Sequence, residues 1–588
     1  MFPARNRLES ARPDLGWPLL FLLGSRAPLG GPHEDLPHDE RKWGLTLPAK
    51  RSITILLPWI AAVTGGILFF LGYVGFDHFY LEWVCLVPVL WAVREQRPGR
   101  AFLLGWVAGT VGHAGGFYWV VGMFQLFAGL PWPLAALGLL LLAAANGVVL
   151  ATWAWATRLI TRDTGWSVVW VAPVVWTALE KFWPELFPNY LGASQYLLPH
   201  LTQIADLTGI LGVSFLVVYL NSSAYAVLTR WFRKRSLAWR ELAALVVVIA
   251  TVLGYGELRI RSWDRQASVA EKLTVGLVQA NRGAGDKMKN PEALFREHQQ
   301  MTRVLVKAQP LDLVVWPEGI CPLNLSPSRE GRIPSLGELA TPVLLGAILQ
   351  QEGSDGVRTC NTALLTDATG RILGSYDKSV LVPFGEYIPM GDWFPSLYSW
   401  SPYASRFWPG ESEEPLALGR HLLSVSICYE DIFPGKIRSL MRGGRERRTP
   451  EAMFNLTNDS WYGNSSEPME HLALASFRCI ENRRSLVRVT NTGVSAFVDP
   501  VGRIVSHTGI WTRESLVDRI PLLQGDAVYS RFGDWIGWLC ILLTVCCIAQ
   551  AMKVAGKQQD PPRGTGGPGP EPPAFHPVRK RGARQSKA

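Results

Sequence analysis

Seven apolar segments crowd into the first 256 residues of this 588-residue chain, and an eighth lies near its end. No other feature constrains the fold as much, because about 20 apolar residues are what an α-helix needs to cross the hydrocarbon core of a bilayer. The spans are read near 53–72, 79–93, 101–122, 132–157, 166–182, 209–229, 238–256 and 533–552. The second is short and holds Glu82 and Pro88. In the third, Gly105 and Gly109 stand at the GxxxG spacing that lets helix backbones approach closely in lipid, a spacing that a glycine-rich segment also reaches by chance. Composition agrees: 18% of residues are charged, against about 25% in soluble domains.

Basic residues set the orientation, because loops rich in Lys and Arg stay in the cytoplasm. Lys50 and Arg51 precede the first span; Arg94, Arg97 and Arg100 follow the second; Arg158 and Arg162 follow the fourth; Arg230, Arg233, Lys234 and Arg235 follow the sixth. With this count all of them, and the basic C-terminal tail, share one side. By parity the long polar stretch 257–531 faces away from the cytoplasm. The net charge of +10 is thus explained by membrane flanks and tails, and nucleic acid is not expected as a partner. The eight cysteines form no CxxC pair and no Cys/His spacing suited to zinc, so no zinc site is expected.

The domain plan follows. Residues 1–52 are an N-terminal extension, read as cytoplasmic, whose apolar island "LGWPLLFLLG" (15–24) is too short to span. Residues 53–256 form a bundle of seven helices, 257–531 an extracytoplasmic domain, 532–553 the last helix and 554–588 a disordered, Pro/Gly-rich basic tail. The aromatic segment 183–208 reads equally as an interfacial or re-entrant piece and as an ordinary loop. Within 271–525, strands are expected at 272–281, 311–318, 341–350 and around an Ala-Thr-Gly turn in 361–380, and a helix at 290–309 with Asn290 as N-cap and Pro291 in its first turn. Strands interspersed with helices make this an α/β layered domain.

Three apolar runs of that domain end on reactive residues. "LVVWPEG" delivers Glu318, "GSYDKSVLVPFGEYIP" delivers Lys378 and then Glu386, and "SVSICYED" delivers Cys428 and Glu430. In layered α/β folds ligands collect at strand C-termini, so the three ends can converge on one pocket. Taken singly, Cys428 reads as a buried structural thiol, Lys378 as a solvated turn lysine and Glu318 as an exposed carboxylate. Glu386 and Glu430 read as structural partners rather than proton carriers. Together a carboxylate, an ammonium and a thiol make a nucleophile with its base and its oxyanion partner, with the amide of Tyr429 as a further donor.

The segments "VVWPEG", "YDKSVLVPFGEYIP", "ICYEDIFP" and "NDSWYGNSSEPMEHLALASFRCIENRRSLVRVTNTGVS" together resemble the nitrilase (carbon–nitrogen hydrolase) superfamily. With the preceding bundle and "NYLGASQYLLPHLTQIADLTGILGVSFLVVYLN", the chain over roughly 53–550 resembles the apolipoprotein N-acyltransferase family. The resemblance implies an αββα layered domain, the catalytic set Glu318, Lys378 and Cys428, and supporting roles for Glu386, Tyr429 and Glu430. Two departures touch substrate positioning: Val380 stands where the family usually has His, and Met288 where it often has Trp.

The implied reaction moves an acyl chain from a membrane phospholipid to the N-terminal amine of the diacylglyceryl-cysteine of an apolipoprotein, through a thioester on Cys428. It uses neither metal nor nucleotide, and it places the protein in the bacterial inner membrane. Both substrates are lipid-anchored, so the aromatic loop "MGDWFPSLYSWSPYASRFWPG" (390–410) is expected to dip into the interface as a mobile arm, with Trp393, Phe394 and Trp400 touching substrate. A packed surface loop is the other reading. Two other functions compete: a membrane-tethered amidase acting on a small amide with the same three residues, and a scaffold that binds lipoproteins without reacting.

Overall fold

A computed structural model describes residues 49–234, 239–283, 289–322, 331–353, 356–400 and 406–559. Among these, five helices are long and apolar enough to cross a membrane: Ile55–Gly72, Trp132–Thr164, Ile210–Arg233, Trp239–Val269 and Trp535–Lys557. The other three expected spans have a different form. Residues 79–93 make a 3-10 turn, Phe79–Trp83, and a short helix, Leu86–Val93. The break is stabilised by side chains: the Asn221 carboxamide accepts the Leu86 N–H at 2.8 Å and donates to the Glu82 carbonyl at 2.7 Å. Residues 101–122 divide into Pro98–Gly116 and Val120–Ala128. The helix expected at 166–182 is Val168–Phe182, 15 residues with Pro173 inside. At a rise of about 1.5 Å per residue it covers roughly 22 Å, short of a hydrocarbon core of about 30 Å.

The glycine pair is a packing seam. A Cβ added to Gly105 would come within 2.6 Å of the Leu150 carbonyl oxygen, and one on Gly109 within 2.8 Å of Gly147 Cα. The Pro98–Gly116 and Trp132–Thr164 helices therefore touch backbone to backbone, which any larger residue prevents. Segment 183–208 is neither an open loop nor a single helix. Its turns Leu191–Gln195, Pro199–Thr202 and Ala205–Thr208 are largely buried.

The helix Trp239–Val269 runs without a break through the expected boundary at 256 and leads straight into an α/β domain. Its strands are β1 Lys272–Gln279, β2 Leu313–Val315, β3 Val343–Gly353, β4 Gly356–Thr366, β5 Ile372–Asp377, β6 Leu416–Leu418, β7 His421–Ile427, β8 Ala452–Thr457, β9 Leu486–Thr490, β10 Ala496–Val498, β11 Ile504–His507 and β12 Glu514–Pro521. They form two six-stranded sheets, ordered β12-β1-β2-β3-β4-β5 and β11-β10-β9-β8-β7-β6. The centre of each is parallel: β1–β2–β3 in one, β7–β8–β9 in the other.

Period-2 alternation makes the layers. Val275, Leu277, Leu313, Val315 and Leu344 of the first sheet pack face to face with Leu423, Val425, Ile427, Leu456 and Val487 of the second. Their neighbours Val278, Val314, Trp316 and Leu345 point outward and meet Leu294 and Phe295 of the helix Pro291–Ala308. Each such side chain, fully buried, contributes about 1.5–3 kcal/mol. Asn290 caps that helix, its side chain accepting the Ala293 N–H at 3.1 Å. On the second sheet lies the helix Glu467–Asn482, buried on all sides except at Met469. A helix buried all round is packed on two faces. Its end meets the membrane side, where Glu481 accepts the Ile210 N–H at 2.9 Å.

Candidate active site

Three strands, two from one sheet and one from the other, point their C-terminal ends at one place. β2 ends at Val315 and the chain turns through Trp316-Pro317 to Glu318; Lys378 follows the end of β5; Cys428 follows the end of β7. All three are buried, Lys378 to 1% exposure. The Lys378 ammonium lies 2.8 Å from Glu386 Oε2 and 3.7 Å from Glu318 Oε1. The Asn361 carboxamide joins the two acids, donating to Glu318 Oε1 at 2.5 Å and to Glu386 Oε1 at 2.9 Å. The backbone carbonyl of Asn361 accepts the Lys378 backbone N–H at 2.8 Å. Glu386 also accepts the Val382 N–H at 2.9 Å.

Electrostatics follow from this packing. Burial pulls the Lys378 ammonium toward neutrality, but the carboxylates of Glu386 and Glu318 outweigh it and hold its pKa above the ordinary lysine value. Burial pushes the Cys428 thiol well up; the Glu318 carboxylate adds to this, and the Lys378 ammonium opposes it. The resting sulfur is therefore a protonated thiol that needs a base to become a nucleophile. Cys428 has φ +50°, in the left-handed region that non-glycine residues rarely occupy. The turn presents the sulfur past the strand end, and Asn455 on β8 holds it by donating to the Cys428 carbonyl at 3.1 Å.

Glu430 anchors the turn after the nucleophile position. Its carboxylate accepts from Tyr376 Oη at 2.8 Å, Ser379 N at 2.8 Å, Val380 N at 3.1 Å and Ile427 N at 2.8 Å. Val380 thus contributes through its backbone, whatever its side chain. The Tyr429 hydroxyl donates to the Leu186 carbonyl, and its ring meets Phe433 edge-on at 4.8 Å. The Cys428 turn is docked in this way on the segment that follows the Val168–Phe182 helix.

Trp393 and Phe394 stand apart from this cluster, exposed at 78% and 57%. Trp400 closes the 3-10 turn Pro395–Trp400. Position 288 and residues 401–405 of the loop lie outside the described residues, as do the island 15–24 and residues 560–588 of the tail.

Sequence reasoning missed Asn361 and Thr457. Both are polar residues inside buried strands, and Asn is poorly suited to a strand interior. That misfit was the available signal: such a residue is retained where its side chain has partners.

A family model for the apolipoprotein N-acyltransferase N-terminal domain matches residues 65–223, and one for carbon-nitrogen hydrolase matches residues 274–528. An apolipoprotein N-acyltransferase of Geobacter metallireducens is 31% identical over 498 residues, covering 82% of this chain and 93% of that protein. One of Bdellovibrio bacteriovorus is 30% identical over 520 residues, covering 82% and 92%. Among solved structures, the chain is similar to Saccharomyces cerevisiae Nit3, a member of branch 10 of the nitrilase superfamily, at 21% identity and a TM-score of 0.32, covering 44% of this chain and 93% of that one.

Proposed function

This chain belongs to the apolipoprotein N-acyltransferase family, and from that premise we propose how its buried acid, cation and thiol carry out the N-acylation of lipoproteins. The observation that carries the reading is Lys378, buried between two carboxylates within 4 Å of its ammonium and acting on the Cys428 sulfur.

The acyl donor in this reading is a membrane phospholipid. Glu318 takes the thiol proton as Cys428 Sγ attacks the ester carbonyl. Lys378 and the Tyr429 amide face the developing oxyanion. The C–O bond breaks, the lysophospholipid oxygen recovers the proton from Glu318, and the acyl group stays on sulfur as a thioester. The α-amine of the acceptor, with a free pKa of about 8, then attacks the thioester carbonyl and gives a proton to Glu318. The C–S bond breaks, the sulfur regains a proton, and an amide is released. Glu386 and Asn361 hold Lys378 and Glu318 in register, and Glu430 fixes the turn. Trp393 and Phe394, exposed aromatics beside the site in sequence, suit contact with lipid-anchored substrates at the interface. The small-amide hydrolase reading finds no use for a bundle that shares the family resemblance.

In the same reading the chain crosses the bacterial inner membrane eight times, three of the crossings being made by the broken or short helical segments at 79–93, 98–128 and 168–182, and 257–531 forms the catalytic domain on the periplasmic side. The basic residues flanking the even-numbered spans support that sidedness. Ser268, exposed at the start of the catalytic domain, provides a check. A Ser268→Cys variant in intact spheroplasts is expected to react with a membrane-impermeant maleimide as fully as in lysed cells. Labelling only after lysis would reverse the topology.

Incubating the purified protein with acyl-labelled phospholipid and no acceptor tests the chemistry. A label that maps to the peptide bearing Cys428, resists acid and is released by hydroxylamine is expected. Stoichiometric acyl transfer to a lipopeptide with no such adduct at any time would remove the thioester.

A further inference from the structure

Behind Cys428 lies a buried cluster of charges that the acyl-transfer steps do not use. His471, on the helix Glu467–Asn482, places Nε2 at 2.7 Å from Asp431 Oδ1 and Nδ1 at 3.3 Å from Asp459 Oδ1. Arg488, on β9, reaches Asp459 Oδ2 at 3.0 Å and Asp431 Oδ2 at 3.8 Å. Glu467 Oε1 lies 3.9 Å from His471 Nδ1. None of these five residues is more than 6% exposed.

The cluster is connected to the sulfur in two ways. Asp431 sits in the turn Cys428–Ile432, three residues after the thiol. Asp459 follows the end of β8, where Thr457 donates to it at 3.2 Å and also bonds the Cys428 sulfur. Asp459 is itself one of the charges that disfavour a thiolate at Cys428, after burial and Glu318.

Charge counting decides what the cluster is. Burial and the neighbouring Asp459 push the Glu467 carboxyl up, toward its neutral form. Burial disfavours the His471 imidazolium, but Asp431 outweighs it and lifts its pKa to about 10. Two carboxylates, Asp431 and Asp459, are then balanced by two cations, His471 and Arg488. Asp459, Glu467 and His471 also have the spacing of a metal site, but Arg488 already engages both oxygens of Asp459, and the balance is complete without a further cation. Buried charges persist only when they are paired in this way.

We propose that His471 and Arg488 are positioning residues that neutralise Asp431 and Asp459, holding the nucleophile turn from behind and keeping net negative charge away from the Cys428 sulfur as its proton leaves. The proposal rests on reading Cys428 as the nucleophile. The groups facing the sulfur are Glu318 beyond β2, Lys378 beyond β5 and Asp459 beyond β8. Those facing His471 are Asp431 from the turn, Asp459, Arg488 from β9 and Glu467 from its own helix.

The test measures the pH dependence of Cys428 alkylation by iodoacetamide in the intact, detergent-solubilised protein, read by mass spectrometry of the Cys428 peptide. It needs no acyl transfer, so its failure is distinct from absence of the thioester. His471→Gln keeps a donor for Asp431 but loses the charge, leaving the cluster net negative. The midpoint is expected to rise by about one pH unit, which is roughly a tenfold lower alkylation rate below the midpoint. Asp459→Asn removes one of the carboxylates that disfavour the thiolate, and the midpoint is expected to fall. Opposite shifts cannot arise from general loosening, and each variant has its own assigned sign, so either one decides if the other fails to fold. If neither folds, ¹⁵N spectra of the histidine-labelled native protein decide: a ring doubly protonated at pH 8.5 is required. Native midpoints in folded variants, shifts of the same sign, or ten histidines all neutral at pH 8.5 would overturn the proposal.

Discussion

Lys378→Met is expected to lower acyl transfer by at least about 10³-fold while the protein still folds. Two losses combine. In the proposed mechanism the ammonium faces the developing oxyanion, and removing one such donor costs about 10²–10³-fold. It also separates two carboxylates: Glu318 at 3.7 Å and Glu386 at 2.8 Å both depend on it. Without the cation, two like charges share a buried site and one takes up a proton. A protonated Glu318 cannot accept the thiol proton, and loss of a general base costs a further factor of about 10²–10⁴. The measurement is the initial rate of label transfer from phospholipid to a lipopeptide, with circular dichroism to show that the fold is retained. Lys378→Arg is expected to rescue little, because a guanidinium is larger and flatter than the ammonium that this 1% exposed position holds. A Lys378→Met enzyme within tenfold of the native rate would sink the assigned role.

Asp206→Ala is expected to cost about 3–5 kcal/mol of stability, the range for removing one partner of a buried ion pair. Asp206 lies in the membrane-side segment between the Val168–Phe182 and Ile210–Lys234 helices, and it is 1% exposed. Its carboxylate receives Arg483 Nη2 at 2.5 Å, Arg259 Nε at 2.7 Å and Tyr255 Oη at 2.6 Å. Arg483 follows the buried helix Glu467–Asn482 and is itself fully buried, so Asp206→Ala would leave a guanidinium without its counter-charge. Thermal or denaturant unfolding of the intact protein in detergent, followed by tryptophan fluorescence, gives the loss. Combining Asp206→Asn with Arg483→Met should recover part of it, because an apolar replacement removes the stranded charge. A single Asp206→Ala change within 0.5 kcal/mol of native would show that the pair is solvated. The same contact explains why the α/β layers are held against the bundle: the helix carrying His471 has the second sheet on one side and membrane segments on the other.

How far the sequence reads depends on the range of the forces involved. Hydrophobic periodicity and turn chemistry are local, so the strand ending before Glu318, the hairpin around Ala368-Thr369-Gly370 and the helix capped by Asn290 were all legible. The bundle was legible as apolar runs. Its breaks were not, because the division at 79–93 is made by Asn221, which lies more than 120 residues away. Likewise the burial of segment 183–208 comes from partners on the Ile210–Lys234 helix and in the α/β domain, beyond the reach of any window.

The same division holds at the site. Residue types alone marked Glu318, Lys378 and Cys428 as chemistry at strand ends, and the resemblance joined them to a family. They left Asn361, Thr457 and the Asp431–His471–Asp459–Arg488 cluster unremarked. By itself the chain determined its class, its membrane runs and which residue types stand at three strand ends, because each of these is settled within about 20 neighbouring positions. Tertiary structure alone decided that one ammonium stands between two acids and that Asp431, Asp459, His471 and Arg488 meet behind the thiol. Electrostatic pairing in a dry interior depends on distances across separate elements, and chain order does not encode those distances.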